Sequence, residues 1–284
     1  MAAENKWLVA TTPGDFNVAG NFSGGLPVAT NNLAFLAEND SPAGPTANPA
    51  AHTLVLLNSF YAGPGYTKTM GGSGAHIQIS SELVHYRGRT GKLWLKEGTA
   101  AGGTANVICD STDSSPFTHD CMSLADTLFD RLAVIRGMCT LESGCAATDI
   151  SVGTRNGNTS ESKLVINSGA TAPTTVTMNQ GIGSSLVNPT MLRVFGGTWT
   201  QEAGGAVVTT LEVWGGKVIL LTGGTFTTVR HFGGTIDCES GGGLHTFTNY
   251  YRIPHGTSAP ILLGENNPAA VSLPTTQPAL TYIS

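Results

Sequence analysis

Paired glycines constrain this chain more than any other feature. They fall at Gly196-Gly197, Gly204-Gly205, Gly215-Gly216, Gly223-Gly224, Gly233-Gly234 and Gly241-Gly242, with steps of 8, 11, 8, 10 and 8 residues. Two steps together give a period of 19, then 18. The segments between align: LRVFGGTWT (192–200), LEVWGGKVI (211–219) and VRHFGGTID (229–237). LAVIRGMCT (132–140) is an earlier copy, with Arg136 in place of the first glycine. Looser copies start at Ile150 and Val176, and a truncated one is FTNY at 247–250. Such a period is too short for a propeller blade, and the leucine-rich consensus is absent. It fits one coil of a parallel β-helix, each coil giving two or three short strands with glycine at the corners. A β-sandwich with hairpins at the glycine pairs is the competing reading, but hairpin turns prefer Asn-Gly or Asp-Gly. The general crossover preference favours a right-handed coil.

Composition agrees. Charged residues are 12%, and glycine and threonine each number 37. Both are poor helix formers, so a bundle or coiled coil is excluded, and the low charge excludes a highly charged disordered chain. The net charge of −5, with no Lys/Arg cluster, argues against nucleic acid. No apolar run approaches the roughly 20 residues of a membrane helix, so no membrane partner is expected. The first residues lack a cationic segment followed by an apolar one, and synthesis in a host cytoplasm is expected. Asn21 and Asn158 head glycosylation sequons, which carry no meaning there.

The expected division is an N-terminal arm or cap (1–50), a β-helix (51–253) and an extended tail (254–284) with five prolines. Upstream strands are expected at 33–36, 53–60, 76–80, 82–86, 92–96 and 105–109, and a glycine- and aromatic-rich insertion at 61–74. Leucines four apart let 121–133 pass for a helix, but the repeat alignment makes its second half strand.

Stacked coils turn equivalent positions into columns. Leu192, Leu211 and Val229 form an apolar column taken to point inward, and alternation sends Val194, Val213 and His231 inward too. His231 reads as a hydrogen-bonded core histidine. The same parity sends Arg193, Glu212 and Arg230 outward, with neighbours of opposite sign. It also places Phe195, Trp214 and Phe232 outward beside the corner. Either these rings meet a partner or the chain tucks them in at the bend.

Catalytic chemistry is hard to place, and the chain reads as no enzyme. Gly72-Ser73-Gly74 and Gly183-Ser184-Ser185 are not nucleophile elbows. His119-Asp120-Cys121 reads as loop polarity. The paired acids Asp237/Glu239 and Asp110/Asp113 would be the option for polysaccharide cleavage, yet no acidic column repeats. Cys109, Cys121, Cys139, Cys145 and Cys238 include no CxxC and read as free thiols, with a Cys139–Cys145 disulfide as an alternative. Neither metal nor cofactor is expected.

Trp7 followed by GDFNVAGNFSGGLP (14–27) resembles the opening of tailed-phage virion proteins in which a W…NWSGG-x-P stretch precedes a β-helix. Phe22 stands where that pattern has Trp. The later repeats resemble the rungs of the same proteins. These are similar to capsid decoration (cement) proteins and to tailspikes, both commonly trimeric. The resemblance implies a homotrimer on the virion surface, bound to a major capsid protein lattice. The alternative is a tailspike or tail fibre that binds or cleaves host surface polysaccharide. No catalytic residue carries over.

Overall fold

A computed structural model describes residues 4–8, 18–36, 56–97, 104–113, 120–154, 161–202, 207–238, 242–252, 261–262 and 271–272. The fold is all-β, a parallel β-helix, with no α-helix among the described residues. It divides into two compact units, one of residues 1–148 and 161–171, the other of 149–160 and 172–284.

The first unit contains β1 (Glu4–Lys6), β2 (Asn32–Phe35), β3 (Leu56–Leu57), β4 (Ser59–Ala62), β5 (Ile77–Ser81), β6 (Leu83–Tyr86), β7 (Leu93–Glu97), β8 (Asn106–Asp110), β9 (Asp120–Ala125) and β10 (Leu128–Leu141). Next come β11 (Ala146–Val152), which belongs to the second unit from Asp149 on, and β12 (Ser162–Ile166), which belongs to the first. One parallel sheet runs β1-β2-β4-β6-β8-β10, and another runs β5-β7-β9-β10-β12. From β4 to β9, strands consecutive in the chain thus alternate between sheets, and each pairs with the strand one coil later. β10 serves both sheets by turning at Gly137, whose φ is 88°.

Residues 1–50 already contribute two strands to the stack. Trp7 and Phe22 are buried and face each other edge-on at 5.1 Å, and Trp7 reaches Phe35 at 5.6 Å. Asn5 clamps the following turn, donating from Nδ2 to Gly25 O (2.8 Å) and accepting from Gly24 N at Oδ1 (2.9 Å). The W…NFSGG stretch is therefore an aromatic lid on the first coil's core. Segment 121–133 is strand in both halves apart from the short break between β9 and β10, because Cys121, Met122, Leu124, Phe129 and Leu132 are buried in the coil interior. Contact with neighbouring coils overrides the four-residue leucine spacing.

The second unit contains β13 (Thr175–Met178), β14 (Ile182–Ser185), β15 (Met191–Val194), β16 (Thr198–Gln201), β17 (Val207–Val213), β18 (Lys217–Leu220), β19 (Thr222–His231), β20 (Thr235–Asp237), β21 (Gly242–Arg252), β22 (Ile261–Leu262) and β23 (Val271–Ser272). Its sheets run β11-β13-β15-β17-β19-β21-β23 and β14-β16-β18-β20-β22, all parallel. The hairpin sandwich is thereby excluded. The last two strands fall within 254–284; the remainder of that tail lies outside the described residues.

The register is the one the repeats predict: Leu192↔Leu211↔Val229, with Ile150↔Val176↔Leu192 before it. All five side chains are buried, each contributing roughly 1.5–3 kcal/mol of apolar transfer energy. Two sequence expectations need correction. Tyr250, not Phe247, continues the Val229 column, since Phe247 pairs with Phe226. Among the described residues, Gly196-Gly197, Gly215-Gly216 and Gly233-Gly234 are corners, but Gly223-Gly224 is not. Gly223-Gly224 lies inside β19, at a register irregularity opposite β21, and a Cβ on Gly223 would stand 2.8 Å from Leu244 O. Glycine serves there for close backbone approach at a bulge. Gly204-Gly205 lies outside the described residues.

Candidate functional site

The second unit carries the candidate surface on β15, β17 and β19. Pairing holds Arg193, Glu212 and Arg230 side by side in successive coils. Arg193 Nε donates to Glu212 Oε2 at 3.1 Å, and Arg230 Nη1 donates to Glu212 Oε1 at 2.6 Å. One carboxylate thus bridges two guanidinium groups. The sequence reading made this an exposed column, but Glu212 is 8% exposed. The two arginine side chains flank it while staying 42% and 46% exposed themselves.

One residue further along each strand end are Phe195, Trp214 and Phe232. Their backbone amides continue the ladder across the bend: Phe195 N to Met178 O, Trp214 N to Val194 O and Phe232 N to Val213 O, each 2.8 Å. The coil spacing then stacks the rings. Phe195 and Trp214 lie 5.9 Å apart at 17°, Trp214 and Phe232 3.8 Å apart at 22°. The rings are not tucked inside: Trp214 is 48% exposed and the two phenylalanines are half-buried. Since Trp214 stacks on both neighbours, the column offers ring edges more than open faces.

The glycine corners that follow are backbone-on-backbone. Thr198 N, Lys217 N and Thr235 N donate to the corner glycines one coil earlier, Gly181 O, Gly197 O and Gly216 O, at 2.8–2.9 Å. Behind the corner, His231 is buried, with Nε2 3.0 Å from Gly234 O and Nδ1 3.1 Å from the Tyr250 hydroxyl. A carbonyl can only accept, so Nε2 carries the proton and Tyr250 donates to Nδ1. Burial lowers the His231 pKa and pushes Tyr250 up to about 12. Both ring nitrogens are thereby occupied in the core, the arrangement expected from sequence.

The other polar candidates are dispersed. Asp237 is buried and paired with Lys217 at 2.7 Å; Glu239 lies outside the described residues. Asp110 pairs with Arg87 at 3.0 Å, while the Asp113 backbone carbonyl accepts from Arg136 at 3.4 Å. Asp120 pairs with Lys92 at 2.5 Å, Cys121 is buried, and His119 lies outside the described residues. Five cysteines are buried as thiols, and Cys145 Sγ donates to Leu124 O at 2.8 Å instead of meeting Cys139 in a disulfide. Among the described residues no group of three or more His, Cys, Asp or Glu is placed for a metal ion, and no helix is long and apolar enough to cross a membrane.

One feature escaped the sequence reading. The first unit has an open cleft of about 590 Å³ whose polar lining is His76, Gln78, Lys96, Asp126, Glu142 and Ser143, with Gly74, Ala75 and Ala125 completing it. Lys96 Nζ donates to Asp126 Oδ2 at 2.8 Å, and His76 Nε2 stands 3.6 Å from Glu142 Oε2. Burial lowers the His76 pKa, and Glu142 opposes that shift. The residues come from separate coils, so no local sequence pattern announces them.

No family model, no curated protein and no solved structure matches the chain.

Proposed function

We propose that the chain is a non-catalytic structural protein of a virion, one that decorates and stabilises a tailed-phage capsid as a homotrimer. The observation that carries this reading is the outward stack Phe195/Trp214/Phe232 beside the Arg193–Glu212–Arg230 bridge. A row of large, partly exposed rings at the ends of adjacent paired strands suits a contact surface. Covering its exposed part is worth a few kcal/mol per subunit, at about 25 cal/mol per Å² of apolar area. The neighbouring arginines supply register more than energy. The capsid and the trimer themselves come from the resemblance at Trp7 and residues 14–27 and from the later repeats. A solenoid suits this role because it offers a long surface to repeated lattice sites.

A quantitative protein gel of the intact particle tests this function. Decoration predicts a band in fixed whole-lattice ratio to the major capsid protein. A band at a small multiple of the tail proteins would contradict it.

The cleft at His76, Lys96, Asp126 and Glu142 favours a second reading, a tailspike or tail fibre that grips host polysaccharide. Its mixed donors and acceptors suit a polyhydroxylated ligand, whereas the stacked column lacks the open ring faces a sugar would cover. Retention of host polysaccharide by the purified protein, lost in Glu142→Ala, is the outcome that reading requires.

A further inference from the structure

The corner where β10 leaves one sheet for the other is built around two sulfur atoms. Cys109 on β8 and Cys121 on β9 are both fully buried, and their Sγ atoms lie 2.8 Å apart. That separation falls between a disulfide bond of about 2.0 Å and an ordinary nonbonded sulfur contact. Each sulfur also addresses the turning backbone: Cys109 Sγ is 3.4 Å from Arg136 O, and Cys121 Sγ is 3.2 Å from Met138 O. Between those two carbonyls sits Gly137, where a Cβ would stand 2.7 Å from Cys121 Sγ. The missing side chain at Gly137 is what makes room for the sulfur pair. The pairing of β9 with β10 slips at this point, with Asp120 opposite Met138 and Met122 opposite Cys139, so Cys121 is the extra residue of a bulge. A bulge re-aims a side chain, and this one aims Cys121 at Cys109.

We propose that Cys109 and Cys121 are a covalent modification site, closing a disulfide that staples β8 to β9 when the chain folds in the presence of a low-molecular-weight disulfide. One protein thiolate attacks the small disulfide, forming a mixed disulfide and releasing one small thiolate. The second protein thiolate attacks the mixed disulfide at the protein sulfur, and the second small thiolate leaves. The two protons lost by the cysteines end on the two released thiols, so two cysteines are oxidised and one small disulfide is reduced. Burial raises the Cys109 pKa well above its ordinary value, so thiolate is scarce in the closed coil. Exchange therefore takes place during folding or local opening, and the finished bond resists reductant in the folded protein. Cys139, Cys145 and Cys238 are buried without such a sulfur contact among the described residues, which makes the site selective. This inference stands independently of the capsid reading.

The test refolds the denatured, reduced full chain in mixed oxidised and reduced glutathione. Free thiols are then alkylated under denaturing conditions, and the unreduced protein is digested with chymotrypsin, which cuts after Phe117 between the two cysteines. The expected result is a Cys109 peptide joined to a Cys121 peptide, an intact mass lower by two hydrogens before alkylation, and alkyl groups on the other three cysteines. The oxidised protein also unfolds at higher denaturant than the reduced protein, a shift absent from Cys109→Ser/Cys121→Ser. Alkylation of both Cys109 and Cys121 after oxidative folding, a glutathione adduct persisting on either, or linkage of either to another cysteine would overturn the proposal. Peptide mapping of the unaltered chain decides the matter even where the double variant fails to fold.

Discussion

A methyl group at Gly216 has nowhere to go. Its φ is +72°, and a Cβ there would lie 2.4 Å from Gly197 O in the preceding coil. Gly216→Ala should cost about 1–3 kcal/mol, read as a lower urea midpoint. Gly20→Ala, where a Cβ meets nothing within 4 Å, should change stability by less than about 0.5 kcal/mol. Glu212 calls for a different contrast. Glu212→Gln removes the charge that two arginines share and should cost about 1 kcal/mol, since both arginine side chains are more than a third exposed. Arg193→Ala leaves Glu212 with Arg230 and should cost less. Histidine sets the response to acid. Burial lowers the pKa of His76, His85, His231 and His245 below 6.5, opposed by Glu142 at His76 and by Asp110 at His85. The unfolded chain then binds protons at pH values where the folded chain does not. Stability is complete above the unfolded value and is lost as pH falls through and below 6.5. Urea midpoints measured on either side of that pH, above the carboxylate range, should fall on the acid side. A flat profile would count against neutral buried histidines.

At the scale of the element, the coil is the unit that adds or leaves. Residues 195–213 run from one aromatic position to the residue before the next, so deleting them joins Val194 to Trp214 and keeps every column in phase. That deletion should preserve the β signal in circular dichroism and cooperative unfolding. Deleting only 195–204 puts inward residues out of phase and should abolish both. The same regularity explains what the sequence revealed. The Arg193, Glu212 and Arg230 register was legible because each stands three residues before a glycine pair, between matching apolar positions. Gly223-Gly224 was misplaced because a corner and a close backbone approach at a bulge both exclude a side chain, and sequence alone does not tell them apart. The place of Trp199 was not legible at all. It fits because Gly183, one coil earlier, lacks a side chain; a Cβ there would stand 2.4 Å from the indole. Nor did sequence spacing reveal the sulfur contact, which depends on a bulge and a strand shared by two sheets. The burial of Glu212 comes with an arginine paired to it from each neighbouring coil, which alternation alone does not fix.

For the whole molecule, the proposed contact between subunits is the outward aromatic column. Trp214 is the residue to remove, because it stacks on both neighbours and is the most exposed of the three. Its loss should cost the isolated fold about 1–3 kcal/mol through the two ring contacts, leaving the coil intact. Its loss from an interface centre should cost more, as buried aromatic anchors do. Light scattering coupled to size exclusion, run on wild type and Trp214→Ala at one concentration with circular dichroism on the same fractions, separates the two. Wild type is expected at three times the chain mass of 29.3 kDa, and the variant at the mass of a single chain with its β signal unchanged. Equal masses for the two proteins would contradict that expectation.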